Sequence, residues 1–296
     1  MSNIGFIGLG NMGAPMAANL VKSGDPVLGF DVVDIARQAA AQLGVAIAPS
    51  AKATVEAADI VITMLPAGEH VRAVWGEILP AAKRGVLFID CSTIDVTSAR
   101  AAHALATQRG IASLDAPVSG GVGGAKAATL TFMVGGAAEA FARGKPILER
   151  MGKRVVHCGD AGNGQAAKIC NNMILGASMI AVSEAFVLGE KLGLSHQALF
   201  DVASASSGQC WSLTSYCPVP GPVPASPANN GYKPGFAAAL MLKDLKLARE
   251  ASAAVHARTA IGAHAAEIYE QFAKAGHSGA DFSGVINFVR EASKPT

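Results

Sequence analysis

Short apolar runs alternate with stretches of helical spacing along the first half of the chain. Five runs of four to six residues are predicted as strands: Ile4–Ile7, Val27–Phe30, Ile60–Leu65, Val86–Ile89 and Ile111–Leu114. The stretches between them, such as Met12–Ser23, Ala36–Leu43 and Thr97–Arg109, have the period of helices. Because parallel strands need helical crossovers, this alternation predicts an α/β domain with a mostly parallel sheet and helices on both faces.

The second half has a different pattern. Two more predicted strands, Leu130–Val134 and Arg154–Cys158, end the first pattern, and a glycine-rich segment follows them. The next segment, Gln165–Leu192, is almost continuous helix former, and at 1.5 Å per residue it would be about 42 Å long. Because it has few polar residues, we expect most of its circumference to be buried, in a helical core, a subunit contact or both. The chain is therefore predicted to have two domains, residues 1–162 and an all-helical domain of residues 163–296.

Composition excludes several classes of protein. The 296 residues are 51% hydrophobic and 16% charged, and 24 basic residues against 22 acidic ones form no clustered basic stripe, so a nucleic-acid partner is not expected. The longest charge-free stretch, 202–232, is rich in Pro, Gly and Ser, so no membrane span is expected. The amino terminus has no basic signal-peptide flank, and five cysteines without a C-x-x-C pair indicate reduced thiols and a cytoplasmic location. The seven histidines have no ligand spacing, so no metal site is predicted.

A glycine-rich motif follows the first predicted strand and begins a helix. It consists of Gly8, Leu9, Gly10, Asn11, Met12 and Gly13. In this context a G-x-G-x-x-G sequence allows a tight turn, lets a pyrophosphate approach the backbone, and presents helix N–H groups to the phosphates. Asp31, eighteen residues after Gly13, would accept the ribose hydroxyls of NAD and repel a 2′-phosphate. The alternative is a plain turn with a helix N-cap at Asp31. We predict an NAD site.

Two further segments have candidate chemistry. Residues 115–121 (Asp-Ala-Pro-Val-Ser-Gly-Gly) offer a serine hydroxyl and glycine N–H groups that suit a carboxylate, although a merely flexible loop is the alternative. Lys168 and Asn172 are four residues apart and share one face of the long helix. A lysine is ordinarily solvated, but burial on this apolar helix would disfavour the ammonium form, as a general acid/base requires. The amide of Asn172 could hold a substrate oxygen.

Together these segments identify a family resemblance. The chain resembles the β-hydroxyacid dehydrogenase family, most strongly the members that oxidise 3-hydroxyisobutyrate. The matching motifs lie at residues 8–13, 115–121, 164–172 and 243–245, in the family's order and over nearly the whole chain. The resemblance implies an NAD-binding Rossmann domain, an all-helical domain joined to it by the long helix, and a homodimer or homotetramer.

The resemblance also implies roles for individual residues. Lys168 matches the catalytic lysine and Asn172 the substrate-orienting asparagine. Predicted substrate contacts are Ser119, Gly120, Gly121, Phe236 and Lys243, and predicted cofactor contacts near the nicotinamide are Leu65, Pro66, Thr93, Lys243 and, as a weaker match, His70. Trp211 and Tyr216 are expected to wall the substrate pocket or, alternatively, to pack the proline-rich loop 218–234. Cys210 departs from the asparagine that the family pattern has before Trp211. The identity of the substrate's side group is therefore left open.

The implied activity is NAD-dependent oxidation of 3-hydroxyisobutyrate, a small carboxylate, to methylmalonate semialdehyde in valine catabolism, with a lysine as general acid/base. One alternative keeps the chemistry but changes the substrate to L-serine, or to tartronate semialdehyde and D-glycerate. Another is a non-catalytic dinucleotide-binding relative. The presence of both Lys168 and Asn172 disfavours this last alternative.

Overall fold

A computed structural model describes residues 1–294 of the chain. Its contacts divide the chain into two compact units, Met1–Lys168 and Ile169–Thr296.

The first unit is built on one sheet. Its strands are β1 (Ile4–Ile7), β2 (Val27–Phe30), β3 (Ala46–Ile47), β4 (Ile60–Thr63), β5 (Leu87–Asp90), β6 (Ala112–Asp115), β7 (Val118–Ser119), β8 (Leu130–Gly135) and β9 (Gly152–Gly159). The order is β3-β2-β1-β4-β5-β6-β8-β7, with β9 pairing β8. Strands β1 to β6 are parallel, whereas β8 runs antiparallel to β6 and β7. The prediction of a mostly parallel sheet is confirmed.

Thirteen α-helices accompany the sheet or follow it in the described part of the chain. They are α1 (Gly13–Lys22), α2 (Asp34–Gln42), α3 (Ala51–Val55), α4 (Gly68–Ile78), α5 (Val96–Thr107), α6 (Gly121–Ala127), α7 (Ala138–Leu148), α8 (Asn163–Lys191), α9 (His196–Ser204), α10 (Trp211–Thr214), α11 (Ala238–Ala254), α12 (Ala260–Phe272) and α13 (Val285–Ala292). Short 3₁₀ turns lie at Leu79–Ala81, Pro227–Asn230 and Phe282–Gly284, and a π-helical turn at Ala273–His277.

Both faces of the sheet are covered by helices. Alternate side chains of each central strand enter different cores: Phe6 packs with the side chains of α1, whereas its neighbour Ile7 packs with those of α3, α4 and α5. Central strands must therefore be apolar on both faces, which is why they appear in the sequence as unbroken apolar runs. The carboxyl ends of β1, β4, β5 and β6 consequently meet at one edge of the sheet.

The second unit is helical, as predicted. Met179 and Ile180 of α8 pack with α11, α12 and α13, and further along α8 Phe186 packs with Leu213 and Val219. The long helix begins at Asn163 rather than Gln165 and ends at Lys191. An exposed stripe along it includes Ile174, Ala181, Ala185 and Leu188. Among the described residues α8 alone is long and apolar enough to cross a membrane, a test that core helices of globular proteins also pass.

The proline-rich segment 218–234 is an ordered loop. Val219 is fully buried, and the Ser226 hydroxyl donates to the Cys217 carbonyl at 2.5 Å. The Tyr232 hydroxyl donates to the Pro218 carbonyl at 2.9 Å. These bonds fold the loop back on itself, and its prolines remove backbone donors that would otherwise need partners.

Candidate active site

The glycine motif forms the turn between β1 and α1. Gly8 has φ +95°, and a Cβ there would overlap the carbonyl of Met64, while a Cβ on Gly13 would overlap the carbonyl of Gly8. Both positions are thus glycine for reasons internal to the fold. A Cβ on Gly10, in contrast, would meet no heavy atom of the described residues within 4 Å. The space over Gly10 and the start of α1, whose N-cap residue Met12 provides no side-chain cap, fit a dinucleotide pyrophosphate.

Asp31 follows β2 and lies beside this turn. Its Oδ2 accepts the Leu9 N–H at 2.7 Å, and its Oδ1 accepts the Val33 N–H at 2.8 Å. The N-cap of α2 is Val33, so capping is not the function of Asp31. Each carboxylate oxygen can accept more than one hydrogen bond, so the side chain can order the glycine turn and still accept a ribose hydroxyl.

A network of polar side chains lies at the ends of the next two strands. Oδ1 of Asp90, the last residue of β5, accepts from the Thr63 hydroxyl at 2.7 Å and the Ser92 hydroxyl at 2.6 Å. The Ser92 hydroxyl in turn accepts the Leu65 N–H at 2.7 Å. Burial raises the pKa of Asp90 from its usual 3.8 to about 6, against the opposing effect of the bonds from Ser92 and Thr63. The network places Leu65 next to the segment that includes Thr93.

Gln165 connects that segment to the first turn of α8. Its Nε2 donates to the Ser92 carbonyl at 2.7 Å, and its Oε1 accepts the Ile94 N–H at 3.2 Å. The residues on both sides of Thr93 are therefore held by one buried amide. Since Gln165 precedes Lys168 by less than one helical turn, this contact also fixes the backbone that bears the lysine.

Asp115 anchors the same helix from the end of β6. Its two oxygens accept the N–H groups of Gly162 at 2.8 Å and Gln165 at 2.9 Å. The anion at the amino end of α8 also interacts favourably with the helix dipole. Nε2 of the buried His103 lies 3.0 Å from Asp115, and the Ser113 hydroxyl lies 2.7 Å from the other ring nitrogen. This aspartate belongs to the segment predicted to bind a carboxylate, and it links that segment to α8.

The glycines after β7 have a backbone that favours glycine. Gly120 has φ +129° and Gly121 φ +60°, and Gly121 begins α6. Ser119 is half-buried beside them. Successive N–H groups in such conformations point to one side and can form an anion-binding concavity.

Lys168 and Asn172 are both buried, with 6% and 2% of their surface exposed, and lie one turn apart on α8. The Asn172 amide donates to Oδ2 of the buried Asp244, and its Oδ1 accepts from Asn171 at 2.9 Å. Asp244 follows the half-buried Lys243 on α11. Within the second unit, Asp244 therefore connects the two predicted site residues Asn172 and Lys243.

The predicted aromatic residues form one stack. Trp211 stacks on Tyr216 at 4.9 Å between ring centroids, Tyr216 stacks on Phe282 at 5.3 Å, and Phe236 meets Phe282 edge-on at 5.8 Å. Trp211 keeps about half of its surface exposed, at 52%. The Tyr216 hydroxyl donates to Asp281 at 2.9 Å, and burial, with the Asp281 charge, raises the pKa of Tyr216. Its hydroxyl is thus bonded within its own unit.

The remaining cofactor candidates lie in the first unit. Leu65 is half-buried, Pro66 is exposed, and His70 is exposed on α4, with its ring 3.9 Å from the Glu69 carboxylate. Sequence reasoning missed Asp90, Gln165 and Asp244 as site residues. In the sequence, only their position within or beside the motifs indicates that they belong to the site.

Comparison with known proteins identifies the family of both parts of the chain. The family model described as the NAD binding domain of 6-phosphogluconate dehydrogenase matches residues 3–159. The model described as NAD-binding of NADP-dependent 3-hydroxyisobutyrate dehydrogenase matches residues 162–289. The chain therefore has the nicotinamide-dinucleotide-binding domains of an oxidoreductase.

Individual relatives are similar over their whole length. A probable 3-hydroxyisobutyrate dehydrogenase of Mycobacterium tuberculosis is 58% identical over 98% of both chains. An NAD-dependent L-serine dehydrogenase of Pseudomonas aeruginosa is 46% identical over 96% of this chain and 97% of its own. A solved structure of Mycobacterium tuberculosis 3-hydroxyisobutyrate dehydrogenase with L-serine has a TM-score of 0.96 and 57% identity, covering 98% of this chain and 99% of that one. The chain belongs to the β-hydroxyacid dehydrogenase family and, within it, to the group of the 3-hydroxyisobutyrate dehydrogenases.

Proposed function

We propose that this enzyme oxidises 3-hydroxyisobutyrate to methylmalonate semialdehyde with NAD, a step of valine catabolism. The observation that supports this most is a buried lysine one helical turn from a buried asparagine, Lys168 and Asn172. A lysine without solvent is suited to exchange a proton with a substrate hydroxyl. The similarity to named 3-hydroxyisobutyrate dehydrogenases supports the choice of substrate.

In this reaction the substrate-binding residues and the proton-transferring lysine have separate roles. The Ser119 hydroxyl and the N–H groups of Gly120 and Gly121 bind the substrate carboxylate, and the family pattern gives Lys243 a contact with the substrate as well. The Asn172 amide, held by Asp244, orients the substrate hydroxyl toward the lysine. Lys168 takes the hydroxyl proton during oxidation and returns it in the reverse direction. The bound nicotinamide supplies the hydride acceptor. Positioning of this kind removes much of the entropic cost of reaction.

We propose NAD as the preferred cofactor. The Asp31 carboxylate is beside the glycine turn, and a 2′-phosphate near it would be repelled. Arg37 of α2 donates to the Asp31 carbonyl, pairs with Asp34 and lies over the Phe30 ring at 5.7 Å. With these partners the guanidinium is already engaged.

L-serine is the second candidate substrate. The relative solved with L-serine and the L-serine dehydrogenase at 46% identity favour it. Cys210, which departs from the family's asparagine before Trp211, also leaves room for another preference in the substrate side group. In an apolar pocket one group changes binding by only about 1–3 kcal/mol, so a modest change of lining shifts specificity.

The test is NAD reduction with a panel of substrates: both enantiomers of 3-hydroxyisobutyrate, L-serine, D-glycerate and 3-hydroxypropionate. We expect the highest kcat/KM with one enantiomer of 3-hydroxyisobutyrate. A higher value with L-serine would replace the first candidate by the second, and a panel without turnover would contradict the proposed activity.

The same assay tests the lysine. Lys168→Ala should lower kcat by about 10²- to 10⁴-fold, the usual contribution of general acid/base catalysis, and leave NADH binding intact. Lys191→Ala, which removes an exposed lysine from the end of the same helix, is the matched control and should keep its turnover. Near-normal turnover of the Lys168 variant would remove it from the proton-transfer role.

We further propose a cytoplasmic homodimer or homotetramer assembled through the exposed stripe of α8. Ile174 is 67% exposed and Leu188 59%, and Leu192, just beyond the helix, is 76% exposed. Large apolar side chains spaced along one helix face are favourable to bury against another subunit.

A further inference from the structure

The carboxyl of Asp90 has an unusual environment that the proposed proton transfer does not use. It is fully buried, and three donors converge on its Oδ1: the hydroxyls of Thr63 and Ser92 and, at 3.3 Å, the Ser92 N–H. Its Oδ2 is buried and has no hydrogen-bond partner among the residues that the structure describes. A buried polar atom in this state is costly and calls for a functional explanation.

Each of the two hydroxyls must donate to Asp90, because it accepts a hydrogen bond from another group. The indole N–H of Trp75 can only donate, and it donates to the Thr63 hydroxyl at 3.2 Å, which leaves the Thr63 proton for Asp90. The Leu65 N–H can only donate, and it donates to the Ser92 hydroxyl, which leaves the Ser92 proton for Asp90. Oδ1 is therefore the common acceptor for the ends of both β4 and β5.

Two segments depend on this acceptor. Ser92 holds the Leu65 backbone through its hydroxyl and, through its carbonyl, the Gln165 amide that binds the Ile94 N–H. Leu65 precedes Pro66, and Thr93 lies between Ser92 and Ile94. Of the predicted contacts near the nicotinamide, Leu65 is thus tied to Asp90 through Ser92, and Pro66 and Thr93 are chain neighbours of the residues that this network holds.

We propose that Asp90 is a positioning residue for the cofactor: as a carboxylate it holds the segments 65–66 and 92–94 in the arrangement that binds the nicotinamide end, and protonation releases them. This proposal rests on the proposed cofactor roles of Leu65, Pro66 and Thr93. Hydrogen bonds to a charged acceptor are about twice as strong as neutral ones, so the neutral acid would hold Ser92 and Thr63 more weakly. The proton would also have to occupy Oδ2 or compete with a donor at Oδ1.

The protonation falls in an accessible range. Burial raises the pKa of Asp90 to about 6, and the negative charge of Asp115 on the neighbouring strand contributes in the same direction. Asp115 is itself bonded to His103, and the adjacent Cys91 thiol stays neutral because burial raises its pKa well above the usual value. Since the folded-state pKa lies above the usual 3.8, the carboxylate form is unfavourable for folding above pH 6. Cofactor binding and fold stability should therefore respond to Asp90 in opposite directions.

The experiment is NADH binding, measured by fluorescence titration without substrate, from pH 5 to 8. The wild-type affinity should fall about 10-fold as the pH decreases through about 6. Asp90→Asn, which keeps an acceptor oxygen but no charge, should bind NADH about 10-fold more weakly at pH 7.5 and show no such transition. Its Tm at pH 7.5 should be equal to or higher than that of the wild type.

Two further variants separate the explanations. Ser92→Ala removes one donor to Asp90 and should move the transition to higher pH, because the carboxylate loses a stabilising bond. His70→Gln removes the exposed imidazole of the weaker predicted cofactor contact and should retain the transition. The proposal would be overturned if wild type and Asp90→Asn had the same NADH affinity and the same pH transition. It would also be overturned if His70→Gln lost the transition. Failure of the wild type itself to bind NADH would instead contradict the proposed function.

Discussion

The side chains proposed to do the chemistry depend on neighbours that do none. Lys168 lies on a helix whose first turn is held by Asp115 and Gln165, and the Asn172 amide is held by Asp244. Catalytic geometry must be kept within fractions of an ångström, so residues that fix the backbone and the amide orientation matter for rate as well as for folding. Variation at Gln165 or Asp244 should therefore affect kcat without any contact to substrate.

Asp31 allows a direct test of cofactor preference. Asp31→Ala removes the acceptor for the Leu9 N–H and the expected partner of the ribose hydroxyls, so NAD binding should weaken by about 10- to 100-fold, the equivalent of one or two charged hydrogen bonds. NADP binding should improve relative to NAD because the repulsion of the 2′-phosphate is gone. The measurement is kcat/KM for both cofactors.

A matched control is available for this variant. Asp59→Ala removes a carboxylate from the same unit, beside β4, that accepts from Asn3 and Lys83 and has no contact with the glycine turn. It should leave the NAD to NADP ratio unchanged. If Asp31→Ala also leaves the ratio unchanged, another group discriminates at the ribose.

At the scale of residues, the sequence predicts groups with local signatures and misses those defined by distant partners. Lys168, Asn172 and the glycine turn can be predicted because each is identified by the spacing of residues that are close together in the sequence. Asp90, Gln165 and Asp244 cannot, because each has a bond, to Thr63, Ser92 and Asn172 respectively, that joins positions 27, 73 and 72 residues apart in the chain. Their function follows from which strand ends and helices the fold brings together.

At the scale of elements, the loop 218–234 is held at both ends by one buried carboxylate. Asp281 accepts from the Tyr216 hydroxyl before the loop and from the N–H groups of Gly235 and Phe236 after it. Its other oxygen accepts the N–H and hydroxyl of Ser283. The aromatic stack and the start of α11 are thereby fixed by the same residue.

Asp281→Asn should destabilise this unit strongly. An asparagine must turn an NH₂ group toward donors on one side, so we expect a loss of about 2–4 kcal/mol in the free energy of unfolding, measured with urea. Asp201→Asn, at an exposed carboxylate on α9, is the control and should change the free energy by less than about 0.5 kcal/mol. Equal stability of the two variants would show that the five bonds to Asp281 contribute little.

Elements with a strong period are predicted well. Each of the seven strands expected from apolar runs is present within two residues, and the long helix begins two residues early. The strands β3 and β7 were not expected, because two residues are too few to establish a period. Helix α6 was not expected either, because it has five glycines and alanines and only one larger apolar residue, Val122. Tertiary contacts rather than helix propensity define it.

At the scale of the whole molecule, the low content of charged residues is reflected in exposed apolar side chains along α8. The stripe with Ile174, Ala181, Ala185 and Leu188 is exposed in the single chain, with Glu184 beside it. If it is a subunit contact, Ile174→Glu with Leu188→Glu should convert the assembly to monomer, because two desolvated carboxylates would face an apolar partner. Light scattering after size-exclusion chromatography measures the mass.

The control for the assembly test is Ile35→Glu, which changes an isoleucine on α2 that is 74% exposed. It should leave the mass unchanged. An unaltered mass in the α8 double variant, or a wild-type monomer, would contradict assembly through this helix. The division into an α/β half and a helical half was predictable from the change in hydrophobic period, but which helix face stays exposed was not, since α8 is apolar almost all round.

The three glycines of the first turn are subject to different constraints. Gly8 and Gly13 are required by the packing of the polypeptide on itself, whereas the space over Gly10 is open and is the place proposed for the dinucleotide. A descendant of this protein that abandoned its cofactor would be free to acquire a side chain at position 10 while keeping the other two glycines. In a related sequence, a side chain at position 10 with glycine kept at positions 8 and 13 would then indicate that the dinucleotide site has been lost.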